Sequence, residues 1–434
     1  MSGVWLTAAF LGLLFLFLGT GVWIGLSLIG VSAFGMALFT PRPVGDAMAI
    51  TVWGMSSSWT LTALPLFIWM GEILFRSKLS ENLFRGLTPL MSRLPGGLLH
   101  VNVAGCAIFA AISGSSAATV ATVGKMSIPE LRRRRYPERM IVGTLAGAGT
   151  LGLLIPPSII LIIYGVTVNE SIAQLFIAGV LPGIMLAGLF MGYVAIWGLL
   201  TRNAGALEET RASWQEKLSG LWQLAPVLLL IVFVIGSIYA GIATATEAAV
   251  FGVAGALALS ALQGSLTRKS FMDSLLGATR TASMIALILA GSAFLSLAMG
   301  FTGLPRALAT TIAGWELSPI ALIVALTVFY IVLGCFLDGI SAVVLTMAVI
   351  EPLVRSSGFD MIWFGIYLVV VVEMAQITPP VGFNLFVLQG MTGRDMAFIA
   401  RAAAPMFVLM VLAVALLVAF PDIATFLPRQ MMGR

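Results

Sequence analysis

The chain has 434 residues, 60% of them hydrophobic and 9% charged, with a mean hydropathy of +1.07, whereas soluble domains carry roughly 25% charged residues. That composition leaves no room for a soluble domain of useful size and describes an all-α polytopic membrane protein, because an open sheet could not pair its backbone in hydrocarbon. The formal charge of +5 speaks to loop orientation rather than to nucleic acid; the single histidine, His100, excludes a multi-histidine metal site, and Cys106 and Cys335 read as core thiols, so no transition metal is expected.

In chain order, runs 4–18 and 22–39 come first. MSGVWLTAAF lacks the basic n-region and cleavage site of a signal peptide, so it is expected to remain as the first span. Residues 1–96 are expected to supply the first-repeat helices and an amphipathic arm. Arg76, Lys78, Arg85 and Arg93 precede the apolar segment 98–112, and Arg132 to Arg135 follow 117–131. The preference of Lys and Arg for cytoplasmic loops puts both flanks on the same side. Each arm of ~15 residues rises only ~22 Å, short of the ~30 Å hydrocarbon core. The pair therefore reads as a re-entrant hairpin whose tip, in AISGSSAATVATVG, carries Gly114, Ser115, Ser116 and Thr119. Small hydroxyl residues also pack transmembrane helices closely, so the cluster reads either as a packing device or as a polar site.

The next span, 137–168, holds Gly147, Gly149, Thr150 and then Pro156-Pro157. Segments 172–200, 221–240, 245–263 and 281–299 follow. A second broken pair, 317–337 and 341–354, meets at Asp338, with Arg306 and Arg355 outside. Span 361–391 is interrupted at Pro379-Pro380, and 402–420 carries the C-terminus to the outer side. Residues 97–170 and 316–393 are thus expected to hold the two hairpins and the Pro-Pro broken spans, 171–315 the connecting and second-repeat helices, and 394–434 a C-terminal helix. Of the 23 Lys and Arg, only Arg42, Arg306, Arg355, Arg429 and Arg434 fall outside in this scheme.

The two hairpins repeat one another. Gly114, Ser116 and Ala117 recur as Gly339, Ser341 and Ala342, and Leu79 as Leu304, all at one common offset; Pro156-Pro157 recurs as Pro379-Pro380 at an offset two positions shorter. The first hairpin enters from inside and the second from outside, so the repeats are inverted, which is the sequence pointer to a secondary transporter's midplane site. Proline donates no hydrogen bond and displaces the carbonyl four residues earlier, so each Pro-Pro should unwind a span. Unwound backbone at that depth must be buried or line a polar cavity. Its carbonyls and neighbouring hydroxyls suit a hard monovalent cation such as sodium, and half-helix N-termini suit an anionic substrate. Asp338 at a hairpin tip points to a cation or a water-filled cavity. Thr378, Gly382 and Asn384 flank the second Pro-Pro. Glu247 reads as interfacial, and Glu373 is left without a role.

Enzyme readings fail on inventory. Gly124-Lys125 lacks the flanking residues of a P-loop, and His100 lies at the base of the hairpin, far from the tip serines. A channel is the more serious rival, since re-entrant hairpins also build filters.

The order LPLFIWMGEIL, LPGGLLHVNV, ISGSSAATVATVG, GLLIPPSI, TATEAAVFG, CFLDGISAVVL and ITPPVGFNLFVLQG resembles the large membrane subunit of tripartite ATP-independent periplasmic (TRAP) transporters over essentially the whole chain. The resemblance implies an elevator mechanism in the bacterial inner membrane: a transport domain holding both hairpins, residues 97–170 and 316–393, slides against a scaffold formed by helices of 1–96 and 171–315. A sodium gradient drives it, with no cofactor beyond that coupling ion. It also implies a small membrane subunit, expected as a separate polypeptide, a periplasmic substrate-binding protein, and a small organic anion as solute. The sodium sites would form around Gly114, Ser115, Ser116 and Thr119 with the break from Gly149 and Thr150 to Pro156 and Pro157. A second set would be Asp338, Gly339 and Ser341 with Thr378, Pro379, Pro380, Gly382 and Asn384.

Overall fold

The computed structural model describes residues 3–201, 212–303, 318–335, 337–380 and 382–432. Among them every regular element is a helix. The first stretch holds α1 Gly3–Gly19, α2 Ile24–Phe39, α3 Val44–Ser56, a 3-10 turn Trp59–Thr62, α4 Ala63–Phe75 and α5 Leu79–Met91. There follow α6 Leu99–Ser113, α7 Ser116–Arg133, α8 Glu138–Gly149, the single turn α9 Leu151–Leu154, α10 Ile159–Val168 and α11 Ile172–Leu200. The second half holds α12 Trp214–Tyr239, α13 Ala245–Leu262, α14 Arg268–Thr302, α15 Pro319–Gly334, α16 Gly339–Ser356, α17 Met361–Gln376, α18 Phe383–Thr392, α19 Met396–Ala419 and α20 Asp422–Met432. Six described helices are long and apolar enough to cross a membrane, or up to eight if each bent pair is one span.

The internal repeat is carried into three dimensions. Helix starts recur at the Pro-Pro offset for α7 and α16 (Ser116, Gly339) and for α8 and α17 (Glu138, Met361), and one position further on for α10 and α18 (Ile159, Phe383) and for α11 and α19 (Ile172, Met396). Both hairpins form: α6 packs on α7, and α15 on α16. The Leu304 counterpart of Leu79, with Arg306, lies outside the described residues. The second hairpin's returning arm differs from expectation. At 18 residues α16 passes as a full span, whereas the equally long α7 does not, because Lys125, Glu130, Arg132 and Arg133 lower its hydropathy.

Two further differences concern breaks and ends. Helices α3 and α4 form a pair bent by 54° at Ser57 and Ser58, whereas α14, whose start at Arg268 matches that of α3 at Val44 in the repeat, runs unbroken for 35 residues. Consecutive serines offer the backbone competing hydrogen bonds and favour helix ends, and the Ser57 hydroxyl indeed bonds back to the Gly54 carbonyl at 3.3 Å. At the C-terminus the chain turns after α19 into α20, an amphipathic helix lying on α11 and α17. Arg429 and Asp422 pair on it at 3.0 Å.

Packing separates the helices into two neighbourhoods. α14 lies along α2, α3 and α4, while α13 covers α4 and α12, and α12 rests on α5. In the other, α8 packs on α6 and α19, α7 on α18, and α10 on α16. At the centre of the second stands α17, all of whose 16 residues are buried. Trp363 Nε1 donates to the Leu417 carbonyl at 3.0 Å and Tyr164 OH to the Met361 carbonyl at 2.7 Å, so neighbours from both repeats hold it. Close contact of this kind needs small residues: a Cβ on Gly147 would stand 2.6 Å from Met406, and one on Gly334 2.5 Å from Ala375.

Candidate functional site

The first hairpin tip is built by a helix stop and an immediate restart. Gly114 ends α6 with φ 55°, a left-handed conformation suited to glycine. Ser115 then caps α7, its hydroxyl accepting from Ala118 N at 3.4 Å. Thr119 Oγ1 lies 2.9 Å from Ser113 Oγ and donates to the Ser115 carbonyl at 2.8 Å. These hydroxyls are satisfied inside the hairpin. Ser116 reaches outward instead: its hydroxyl donates to Glu373 Oε1 on α17 at 2.6 Å.

That tip sits on the first break. A Cβ on Gly114 would stand 3.3 Å from the Pro157 carbonyl, and one on Gly152 only 2.7 Å from Ser116 Cα. The helix pair on either side of the break bends by 41°, and the Pro156-Pro157 and Pro379-Pro380 bonds are both cis. Pro157 has no N–H to offer the Leu153 carbonyl. The neighbouring Ser158 hydroxyl donates to that carbonyl and also caps α10 through Leu161 N at 3.4 Å. Thr150 Oγ1 likewise donates to the Gly147 carbonyl at 2.6 Å.

The second break mirrors this with different residues. Thr378 Oγ1 donates to the Met374 carbonyl at 2.7 Å, and the Cys335 thiol, at the end of α15, lies 3.4 Å from the Pro379 carbonyl. Gly382 passes so close to the unwound chain that a Cβ would stand 2.6 Å from the Gln376 carbonyl. Just beyond it Asn384 is fully buried with neither Nδ2 nor Oδ1 partnered, and a Cβ on Gly149 would stand 3.8 Å from that Nδ2. Glu373 Oε2 and Gln376 Nε2 are buried and unpartnered as well. Unsatisfied buried polar atoms are rare in native structures and call for a ligand, ion or water.

At the second hairpin tip Asp338 is exposed and caps α16, its carboxylate accepting from the Ser341 hydroxyl and from Ser341 N at 3.3 Å. A Cβ on Gly339 would stand 2.9 Å from Val372 and 3.5 Å from Leu153, so this hairpin touches both α17 and the first break. The two hairpins and the two breaks thus converge, as the repeat in the sequence implies.

A family model described as "Tripartite ATP-independent periplasmic transporter, DctM component" matches residues 11–423. The chain belongs to the DctM family. The large permease protein of the C4-dicarboxylate TRAP transporter of Pseudomonas aeruginosa is 32% identical over 402 residues, covering 92% of this chain and 93% of the relative. The isethionate TRAP transporter permease DctMQ of Oleidesulfovibrio alaskensis is 30% identical over 415 residues, covering 95% of this chain, which spans 64% of that longer relative. The crystal structure of the YdaH transporter of Alcanivorax borkumensis shares the fold, with a TM-score of 0.65 at 13% identity, covering 92% of this chain and 98% of that one. The relatives are transporter permeases, not enzymes.

Other residues singled out in the sequence of this DctM chain make local contacts of their own. His100 Nε2 is 2.7 Å from the Pro95 carbonyl at the opposite end of α6 from Ser113, ~20 Å away along the helix. Glu247 forms a capping box with Thr244. Among the described residues no His, Cys, Asp and Glu cluster could hold a metal. A cleft of about 640 Å³ lies elsewhere, between Trp59, Asn169, Glu170 and Thr244, and none of the sequence-selected site residues lines it. Ser158 and Gln376 escaped the sequence reading, although Ser158 carried a signal in its hydroxyl placed directly after Pro-Pro; Glu373, one carboxylate in an otherwise apolar run, was singled out there without a role.

Proposed function

We propose that this chain imports a small organic anion as the large subunit of a sodium-coupled TRAP transporter. It would work with a small membrane subunit and a periplasmic substrate-binding protein in the bacterial inner membrane, with its C-terminus on the periplasmic side. The observation that carries the reading is the convergence of two hairpins and two Pro-Pro breaks around buried, unpartnered oxygen and nitrogen atoms of Glu373, Gln376 and Asn384. Hydroxyl, carbonyl and carboxamide oxygens at such a junction suit sodium carried as a co-substrate. Relatives named for C4-dicarboxylate and isethionate transport support an acidic solute.

In this reading residues 97–170 and 316–393 move together as the transport domain, the remaining helices serve as scaffold, and motion across the membrane follows an elevator. Uptake by proteoliposomes under an imposed sodium gradient tests it. Uptake should require sodium and the binding protein. Sodium-indifferent uptake would sink the coupling, and uptake unchanged without the partner proteins would favour a standalone transporter or a channel. Ser116→Ala and Asp338→Asn should weaken sodium dependence at near-normal expression; if either lowers only folded yield, its residue serves packing.

A further inference from the structure

Helices α13 and α14 both pack on α4. Where the chain turns from α13 into α14 a pocket opens, lined by Arg76, Ser260, Ser265, Leu266, Ser270 and Ser274 among others. Three of its hydroxyl protons are already spent. Ser265 Oγ donates to the Ser260 carbonyl and Ser270 Oγ to the Ser265 carbonyl, both at 3.0 Å, and Ser274 Oγ to the Phe271 carbonyl at 2.7 Å. Ser260 Oγ is different: the residue is 2% exposed and the hydroxyl has no partner. A buried polar atom left so calls for a ligand or water. Arg76 gives its Nε to Glu72 at 3.1 Å, and no described residue accepts from its Nη1 or Nη2. The pocket also sits at the first turn of α14, a helix of 35 residues, whose N-terminal end is positive. Arg268 and Lys269 on that turn pair with no described acid.

We propose that this pocket is a phosphate-group site, and that the phosphate it takes belongs to an anionic phospholipid headgroup of the cytoplasmic leaflet. The unspent groups, one hydroxyl and a guanidinium, are donors, so the ligand must be an acceptor and is best an anion. The pocket measures about 10 Å³, room for about one oxygen atom. A phosphate would thus place one oxygen inside against Ser260 Oγ and leave the others outside, within the field of Arg76, Arg268 and Lys269. The surroundings favour a lipid as the source. Arg76, Lys78, Arg268 and Lys269 mark this end of the helices as cytoplasmic, where basic pockets between spans hold anionic headgroups. Phe75, Leu262 and Met272 are exposed beside it for acyl chains. Trp69 lies with them, its Nε1 donating to Ser274 Oγ at 3.2 Å, as an indole does at a membrane interface. None of the hairpin or Pro-Pro residues takes part, so the site is independent of the sodium-coupled reading.

The test uses the full-length chain purified as it assembles in the membrane, delipidated in detergent, with thermal midpoint as readout. Three additions are titrated: dioleoylphosphatidylglycerol, dioleoylglycerol with the same chains and no phosphate, and potassium phosphate against potassium chloride at equal ionic strength. Phosphatidylglycerol should give a saturable rise in midpoint and dioleoylglycerol none. Arg76→Gln should raise the half-saturating lipid content about tenfold, as loss of a charge-assisted hydrogen bond does. Ser260→Ala should weaken the lipid response as well. Before lipid is added it should melt no lower than wild type, because it removes a hydroxyl that has no partner. That pairing keeps the test valid should Arg76→Gln fold poorly. A saturable rise with potassium phosphate, lost in both variants, would support the phosphate site and make free phosphate its source. An equal response to dioleoylglycerol or no response to any addition overturns the inference. So does a Ser260→Ala chain that melts lower without lipid yet keeps the full lipid response, since the pocket then holds only water.

Discussion

Ser116 and Ser341 match in sequence, two residues after Gly114 and Gly339, yet their hydroxyls go to opposite places. Ser116 crosses to Glu373 in the other repeat, whereas Ser341 turns back to Asp338 in its own hairpin. The cause is helix register. α7 starts at Ser116 itself, behind a left-handed Gly114 and the cap Ser115, while α16 starts two residues earlier relative to the motif, at Gly339 behind the cap Asp338. At 100° per residue that slip turns the serine by ~200° about its helix axis, from facing its neighbour to facing its own cap. The same slip of two positions separates the offset of the tip motifs from the shorter offset of the Pro-Pro pairs. Matching motifs in two repeats therefore specify matching shape without specifying matching contacts.

The strongest way to break this comparison is through the seats of the hairpins. A Cβ at Gly152 would meet backbone of Ser115 and Ser116 at 2.7–2.8 Å, whereas one at Gly339 meets the Val372 side chain at 2.9 Å. Backbone cannot step aside as a methyl can. Gly152→Val should thus lose about 1–3 kcal/mol or more through overpacking, seen as a large drop in thermal midpoint in detergent, with Gly339→Ala losing clearly less. Gly188→Ala, where nothing lies within 4 Å, serves as the neutral control. Equal losses at 152 and 339 would mean that the two hairpins are seated alike.

The next effect concerns the serines themselves. Ser116→Ala leaves both oxygens of buried Glu373 without a donor, a loss of about 1–3 kcal/mol. Ser341→Ala removes a partner from an exposed carboxylate that water can serve and that still accepts from a backbone N–H, so the change should stay within about 0.5 kcal/mol. Thermal unfolding of the two variants side by side reads the difference, and a Ser341 loss matching that at Ser116 would refute the register argument.

Much of this architecture was legible in the sequence because it rests on patterns that sequence carries directly. Apolar length marks spans, and a doubled proline removes hydrogen bonds wherever it stands, so both breaks and both hairpin tips lie where Pro156-Pro157, Pro379-Pro380, Gly114 and Asp338 placed them. Partners were less legible. Glu373 carries no local signal for Ser116, which lies in the other repeat, and the helix register that aims one serine and not the other depends on which residue becomes the cap. The bend at Ser57 and the docking of α20 on α11 were missed for a similar reason. Each is decided by a weak local preference that tertiary packing then selects.

The smallest effect tests whether the repeats match at their far ends as they fail to match at their tips. Arg132 follows the first hairpin's arm, and Arg355, its counterpart at the Pro-Pro offset, ends the second's. Each donates to the last carbonyl of the other repeat's broken helix: Arg355 Nη2 to Val168 O at 2.9 Å and Arg132 Nη2 to Thr392 O at 3.3 Å. Each also pairs with an acid, Glu170 and Glu351 for Arg355, Glu138 for Arg132. A cation at a helix C-terminus is favourable, yet the two arginine side chains are 40% and 45% exposed, so each clasp contributes about 0–1 kcal/mol and is screened by salt. Arg132→Ala and Arg355→Ala should lower the thermal midpoint slightly and by similar amounts at low ionic strength, with the differences shrinking in high salt. Because the shorter bond to a helix-end carbonyl belongs to Arg355, any inequality in that contact should fall on its side; a larger loss at Arg132 would show that its pairing with Glu138, rather than the crossed repeat, sets the contact.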